Sequence, residues 1–131
     1  MSFSGDIGKF ARDTQEAHDK ITRAATLELF SSVVKATPVD SGRARGNWQT
    51  SVGTPIEGEI ERLDQGGTAA IAEVQAKTPP GAGQETFMTN NLPYIDSLEN
   101  GSSQQAPAGM VRRNVARVQR IVNAAIAKVK V

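Results

Sequence analysis

The stretch that decides the fold is SGDIGKFARDTQEAHDKITRAATLELFSSVVKA, residues 4–36. Ile7, Phe10, Ala17, Ile21, Ala24, Leu27 and Val34 recur at spacings of three, four or seven, the period of one helical face. Neither Gly nor Pro interrupts the run between Gly8 and Pro38, and charges of both signs fill the other faces. Ser4, followed by Asp6 and Ile7, suits an N-terminal cap region. Leu29, Phe30 and Val33 widen the apolar stripe, which places the second half of the helix deepest in the core. The residue before a proline is pushed out of the helical region, so the helix should stop before Pro38.

Downstream, Thr37 to Gly46 reads as a loop built on the turn formers Asp40, Ser41 and Gly42. Asn47–Val52 reads as a strand in which Trp48 and Val52 share a face, with Trp48 a core residue rather than a contact residue. From Ile56 to Glu61 the chain alternates: Ile56, Gly58 and Ile60 face one way and Glu57, Glu59 and Glu61 the other. That is the pattern of a half-exposed strand or extended arm, closed by a turn at Asp64–Gly67. Alanines with Ile71 and Val74 three apart favour a short helix over Thr68–Lys77. Pro79 to Gly83 breaks the chain, and Glu85–Thr89 is a short strand anchored by Phe87. Leu92–Glu99 is a short helix with Pro93 in its first turn and a left-handed stop at Asn100–Gly101. After the loop Ser102–Gly109, Met110–Val131 reads as a second long helix, with Val111, Val115, Val118, Val122, Ala125 and Val129 along one face.

The reading is therefore α+β: one domain over residues 1–131, two long helices (about 4–36 and 110–131) packed on a small, mostly antiparallel sheet. Short helices and ordered loops fill residues 47–100.

A length of 131 residues with 38% apolar and 22% charged side chains fits one folded domain and argues against disorder. Aromatics are sparse, so alanine and valine must carry much of the packing. The absence of cysteine excludes disulfides, thiolate metal sites and a cysteine nucleophile; a single histidine excludes most imidazole-based zinc sites. The first residues lack the pattern of a signal peptide, and no window approaches the roughly 20 apolar residues of a membrane span. A soluble, non-secreted protein is expected. The net charge of +1 hides an asymmetry: from Pro107 onward there are six basic residues and no acids, against nine basic and fourteen acidic residues before it. Such a chain is electrostatically two-faced.

Catalytic chemistry finds little support. His18 lies among Glu16, Asp19 and Lys20, as on a solvated helix face, and no serine sits in a nucleophile elbow. Asp96 and Glu99 are three apart and would share a helical face, a pair suited to metal binding or acid–base work but lacking a third ligand. Pro79 to Gly83 is not a phosphate-binding loop, since no Gly-Lys-Ser/Thr follows. Glu57, Glu59 and Glu61 read as solvated strand charges. Arg113, Arg117 and Arg120, spaced by four and three with Arg112 at their edge, form a basic face. It suits an acidic neighbouring protein better than nucleic acid, because no aromatics or recognition motif accompany it. Arg43 and Arg45, beside the first turn, are the other candidates for contact outside the core. The expectation is no enzyme, no metal and no cofactor. The alternatives are a small nucleic-acid-binding module using Arg112, Arg113, Arg117 and Arg120, and a carboxylate hydrolase using Asp96 and Glu99.

Two segments carry a more specific signal. Thr37-Pro-Val-Asp-Ser-Gly-Arg43 closes the first long helix. Thr89-Asn-Asn-Leu-Pro-Tyr-Ile95, Leu98-Glu-Asn-Gly-Ser102 and Gln105-Ala-Pro-Ala-Gly-Met-Val111 lead into the last. This order resembles the tail-completion and neck (head–tail joining, minor tail) proteins of long-tailed bacteriophages, over most of the chain except residues 53–80 and the far N-terminus. The matching positions are Pro38, Asp40, Gly42, Asn91, Pro93, Tyr94, Glu99, Gly101, Pro107 and Gly109, read as caps and turns, with Tyr94 a packing residue whose hydroxyl is hydrogen-bonded. The resemblance implies a non-catalytic structural protein of the virion tail or neck, assembled in the host cytoplasm. It implies a ring of copies, hexameric on the tail, that meets the tail tube or tail terminator protein and the head-connector proteins. DNA crossing the lumen would be touched without sequence reading, and no membrane is involved.

Overall fold

The first helix, α1 (Phe3–Ala36), forms where the periodicity places it. The computed structural model describes residues 3–81 and 83–129, with side chains from Gly8 onward, so the side chain of Ile7 and the last two residues of the expected C-terminal helix lie outside the described residues. At 34 residues, α1 is about 51 Å long. Its second half carries the core: Val33 and Val34 pack with Trp48, Ala70, Ala106 and Met110. Ala17 is the first buried side chain described along it, and Phe10, on the same stripe, is 70% exposed.

The stop at Pro38 is made by side chains. Thr37 Oγ1 donates to the Val33 carbonyl (2.7 Å) and accepts from Trp48 Nε1 (2.8 Å). Arg45 donates to the carbonyls of Lys35 (2.9 Å), Thr37 (2.8 Å) and Gln65 (2.8 Å). A guanidinium at the carbonyl end of a helix satisfies orphan acceptors and complements the helix dipole. Arg45 is thus a clamp inside the fold and not a free contact residue. Arg45→Ala should lower stability by about 2–3 kcal/mol in thermal or urea unfolding, with Arg45→Lys recovering only part of it, because the guanidinium reaches the three carbonyls with three separate nitrogens and an ammonium has one.

Residues 43–46 form one helical turn, α2 (Arg43–Gly46), rather than an open loop. Two strands follow the sequence reading closely: β1 (Gln49–Val52) pairs antiparallel with β2 (Thr86–Thr89), Gln49 opposite Thr89 and Val52 opposite Thr86. Between them α3 (Thr68–Lys77) packs on both α1 and β1. Its N-terminus is capped by Asp64, whose Oδ2 accepts from the Ala70 N–H (2.9 Å).

The alternating segment at 56–61 joins no ladder. Ile56 and Ile60 are half-buried and the three glutamates exposed, as the alternation requires, but side-chain amides take the place of a neighbouring strand. Asn91 Nδ2 donates to the carbonyls of Ile56 and Gly58 (2.9 Å each), Gln49 Nε2 to Gly58 (3.0 Å), and Asn47 Oδ1 accepts from the Ile60 N–H (2.9 Å). The sheet therefore stops at two strands, with 53% of the chain helical and 7% strand.

The last third differs most from expectation. After α4 (Ile95–Glu99), stopped at Gly101 (φ 92°), the second long helix is two pieces, α5 (Val111–Val115) and α6 (Val118–Lys128). Asn114 is buried, and its Nδ2 donates to the Met110 carbonyl (2.7 Å). A side chain competing for the ladder acceptor is a recognised cause of helix breaks. At Arg117 the backbone falls back to a three-residue hydrogen bond, Arg117 N–H to Asn114 O (3.0 Å). The buried face is Met110, Asn114, Ile121 and Ala125, whereas Val111, Val115 and Val118 are 38%, 50% and 42% exposed. The valine row is a flank, not the core. α5 and α6 pack on α1, and the sheet packs on α3, so the architecture is one long helix, short helices and a two-stranded antiparallel sheet instead of two long helices on a sheet.

Candidate functional site

The two turn segments singled out in the sequence face each other across a cleft of about 400 Å³, lined by Pro38, Asp40, Gly42 and Arg43 on one side and Tyr94, Leu98 and Gln105 on the other. Gln105 joins them as a strand would: its Nε2 donates to the Val39 carbonyl (3.1 Å) and its Oε1 accepts from the Val39 N–H (2.9 Å). Asn90 adds a bond from Nδ2 to the Ala44 carbonyl (2.8 Å). Pro38, Gly42 and Gly109 are buried; Asp40, Asn91, Pro93 and Pro107 are exposed. Gly42 lies against the following turn, its carbonyl accepting from the Asp64 N–H (3.1 Å). Tyr94 is 40% exposed at the cleft wall, so it faces the surface and is not a core packing residue. Asn91 does more than form a turn, since it holds the 56–61 arm.

Glu99 belongs to this unit and not to a carboxylate pair with Asp96. Its carboxylate accepts the N–H groups of Met110 (2.9 Å), Val111 (2.9 Å) and Arg112 (2.8 Å), and Arg112 Nη2 donates to the Glu99 carbonyl (2.5 Å). Burial pushes the Glu99 carboxyl upward, but the donated hydrogen bonds of Arg112, Val111 and Met110 outweigh it and hold the group below its ordinary value. An acceptor fixed in its ionised form by three backbone donors is a cap for α5. Asp96 is exposed beside it, and His18 is exposed on α1. Among the described residues no cluster of three His, Asp or Glu side chains is placed to hold a metal ion, and no helix is long and apolar enough to cross a membrane.

The arginines separate. Arg112 is bound to Glu99, and Arg43 pairs with Glu59 (2.7 Å) with both side chains nearly half exposed. Arg113 is exposed but does not line the groove that the other two share. Arg117 and Arg120 line a groove of about 540 Å³ between α1 and α6, together with Lys35, Lys128 and the lone carboxylate Glu28. The sequence pattern showed the arginines but not Lys35, which the packing of α6 on α1 brings to them.

Chemically, the cleft offers a phenol, one carboxylate and one guanidinium around an apolar wall, and the groove offers a concentration of positive charge. No family profile, curated protein or solved structure matches this chain.

Proposed function

We propose that this chain is a non-enzymatic structural virion protein that completes the head-proximal end of a phage tail and helps join it to the capsid, acting as a subunit of a ring. The observation that carries the reading is the meeting of the two motif segments. Residues 66 positions apart, Val39 and Gln105, are bonded to each other, so the order on which the resemblance rests corresponds to one built surface. Turns that held only local structure would have no need to meet.

The ring works by heterologous contacts that close on rotation, which suits a chain with six basic and no acidic residues from Pro107 onward and a net-acidic remainder. The expected partners are the tail tube or tail terminator protein on one side and head-connector proteins on the other, with non-specific contact to DNA passing through the lumen. No cofactor, metal or membrane enters this role. The protein is assembled in the host cytoplasm and ends in the virion.

Negative-stain imaging tests the reading. Tails from the phage that encodes the chain, made without it, are expected to have one bare end, and purified protein added back should form ring density at that end. Protein that binds along the whole tube, or not at all, would remove the reading.

A further inference from the structure

We infer that the basic groove between α1 and α6 receives the acidic 57–61 arm of a second copy of this chain. This deepens the ring reading by naming the contact between subunits, and its test can fail separately.

The groove brings Lys35, Arg117, Arg120 and Lys128 around a single carboxylate, Glu28. All four cations are exposed, and none of them makes an ion pair among the described residues. Four like charges gathered at one groove repel each other, and an arriving anion relieves that repulsion as well as gaining its own attraction.

The same chain carries a matching surface. Glu57, Glu59 and Glu61 are exposed on an extended segment, and among the described residues only Glu59 makes an ion pair, with Arg43. Beside Glu61 lies Leu63, 70% exposed. This gives the acidic strip an apolar end, and the groove supplies an apolar floor at Leu27. The dimensions agree: Arg117 to Lys128 spans about 16 Å along a helix, and Glu57 to Glu61 at most about 13 Å along an extended chain.

The two surfaces belong to different layers. The groove is walled by helices, whereas the arm is fastened by Asn47, Gln49 and Asn91 around the sheet. A contact between unlike patches on different layers propagates head to tail, the kind of contact that closes into a ring. The arm is also rigid before it binds. The Ile56 and Gly58 carbonyls and the Ile60 N–H are already taken by side-chain amides, which lowers the ordering cost at association. DNA is the other polyanion that such a groove could attract, but the groove has no aromatic side chain for stacking.

The test is a charge swap read by sedimentation equilibrium of the full chain at low salt. Glu57, Glu61, Arg117 and Arg120 are exposed and make no ion pair among the described residues, so the variants E57K/E61K and R117E/R120E should fold normally by circular dichroism. Wild type is expected to self-associate in a salt-sensitive manner, and each variant alone to do so about tenfold more weakly or less. Mixed in equal amounts, the two variants should recover association. A wild type that stays monomeric at the highest soluble concentration, variants that associate as wild type does, or a mixture without recovery would each overturn the contact. So would tight binding of a DNA duplex by wild type, lost in R117E/R120E, with no self-association. If tails are completed by the protein while the swap fails, this contact falls and the ring reading stands.

Discussion

Arg62→Ala should lower stability by about 3–5 kcal/mol, read as a fall in Tm of about 10–20 °C. No sequence motif marks this residue, yet it joins three parts of the fold. Its Nε donates to the Gly46 carbonyl (2.7 Å), its Nη2 to the Trp48 carbonyl (2.9 Å) and its Nη1 to Glu73 Oε2 (2.9 Å). Glu73 Oε1 in turn accepts the Thr50 N–H (2.8 Å). The two side chains are only 23% and 17% exposed, so removing the guanidinium leaves a poorly solvated carboxylate and two carbonyls without their donor. That penalty, more than the attraction itself, sets the size of the effect. Two controls separate the causes. Arg62→Lys keeps the charge but not the three-way geometry and should recover less than half. The double variant R62A/E73A should lose less than the sum of the single variants, because the orphaned charge goes with its partner. A fall in Tm under about 3 °C for Arg62→Ala would mean that water replaces the guanidinium at little cost.

Glu99→Ala and Gly109→Ala form the second test, and each should cost about 2–4 kcal/mol. Glu99→Ala removes the acceptor for three backbone donors at the start of α5. Gly109→Ala reaches the same place from the other side. Gly109 has φ 82°, and a Cβ there would lie 2.5 Å from the Glu99 carbonyl oxygen and 2.6 Å from Oε1. Both the left-handed backbone and the close approach exclude a side chain. The costs should not add, since both variants break one cap. The pH dependence has a definite sign. The Glu99 carboxyl is held below its ordinary value of 4.5 in the folded chain, so the stability it contributes is complete above that value and disappears as pH falls through the lower, folded one. The difference in unfolding free energy between wild type and Glu99→Gln should therefore be constant near neutrality and shrink in acid. A difference that grows in acid would assign the group the wrong charge.

The long helix was legible because its apolar period runs unbroken from Gly8 to Pro38, and the short helix at 68–77 because alanine favours helix where no ladder competes. The paired strands and the stop at Gly101 were legible for similar local reasons. What escaped depends on residues far apart. Asn114 looks like any polar helix residue until burial turns its amide onto the Met110 carbonyl, and the C-terminal helix divides just after it, with the valines on the exposed flank. The arm at 56–61 carries a true strand pattern, but alternation reports only which side is buried. Asn91 and Gln49 decide that no strand pairs with it. Arg45 and Arg43 are two residues apart in a loop-like sequence, yet one folds inward under the end of α1 and the other stays at the surface, a difference set by the position of the carbonyls that Arg45 finds. Of the candidate surface, the turn segments were visible in sequence; their clasp through Gln105 and the arrival of Lys35 beside Arg117 and Arg120 were not.

Head–tail joining in vitro tests the central claim most directly. Lysates of the encoding phage that lack this chain should contain filled heads and separate tails, and joined particles should be counted before and after addition of the purified protein. The expected result is few joined particles without the protein and recovery in proportion to the amount added. Efficient joining in its absence would contradict the proposed role.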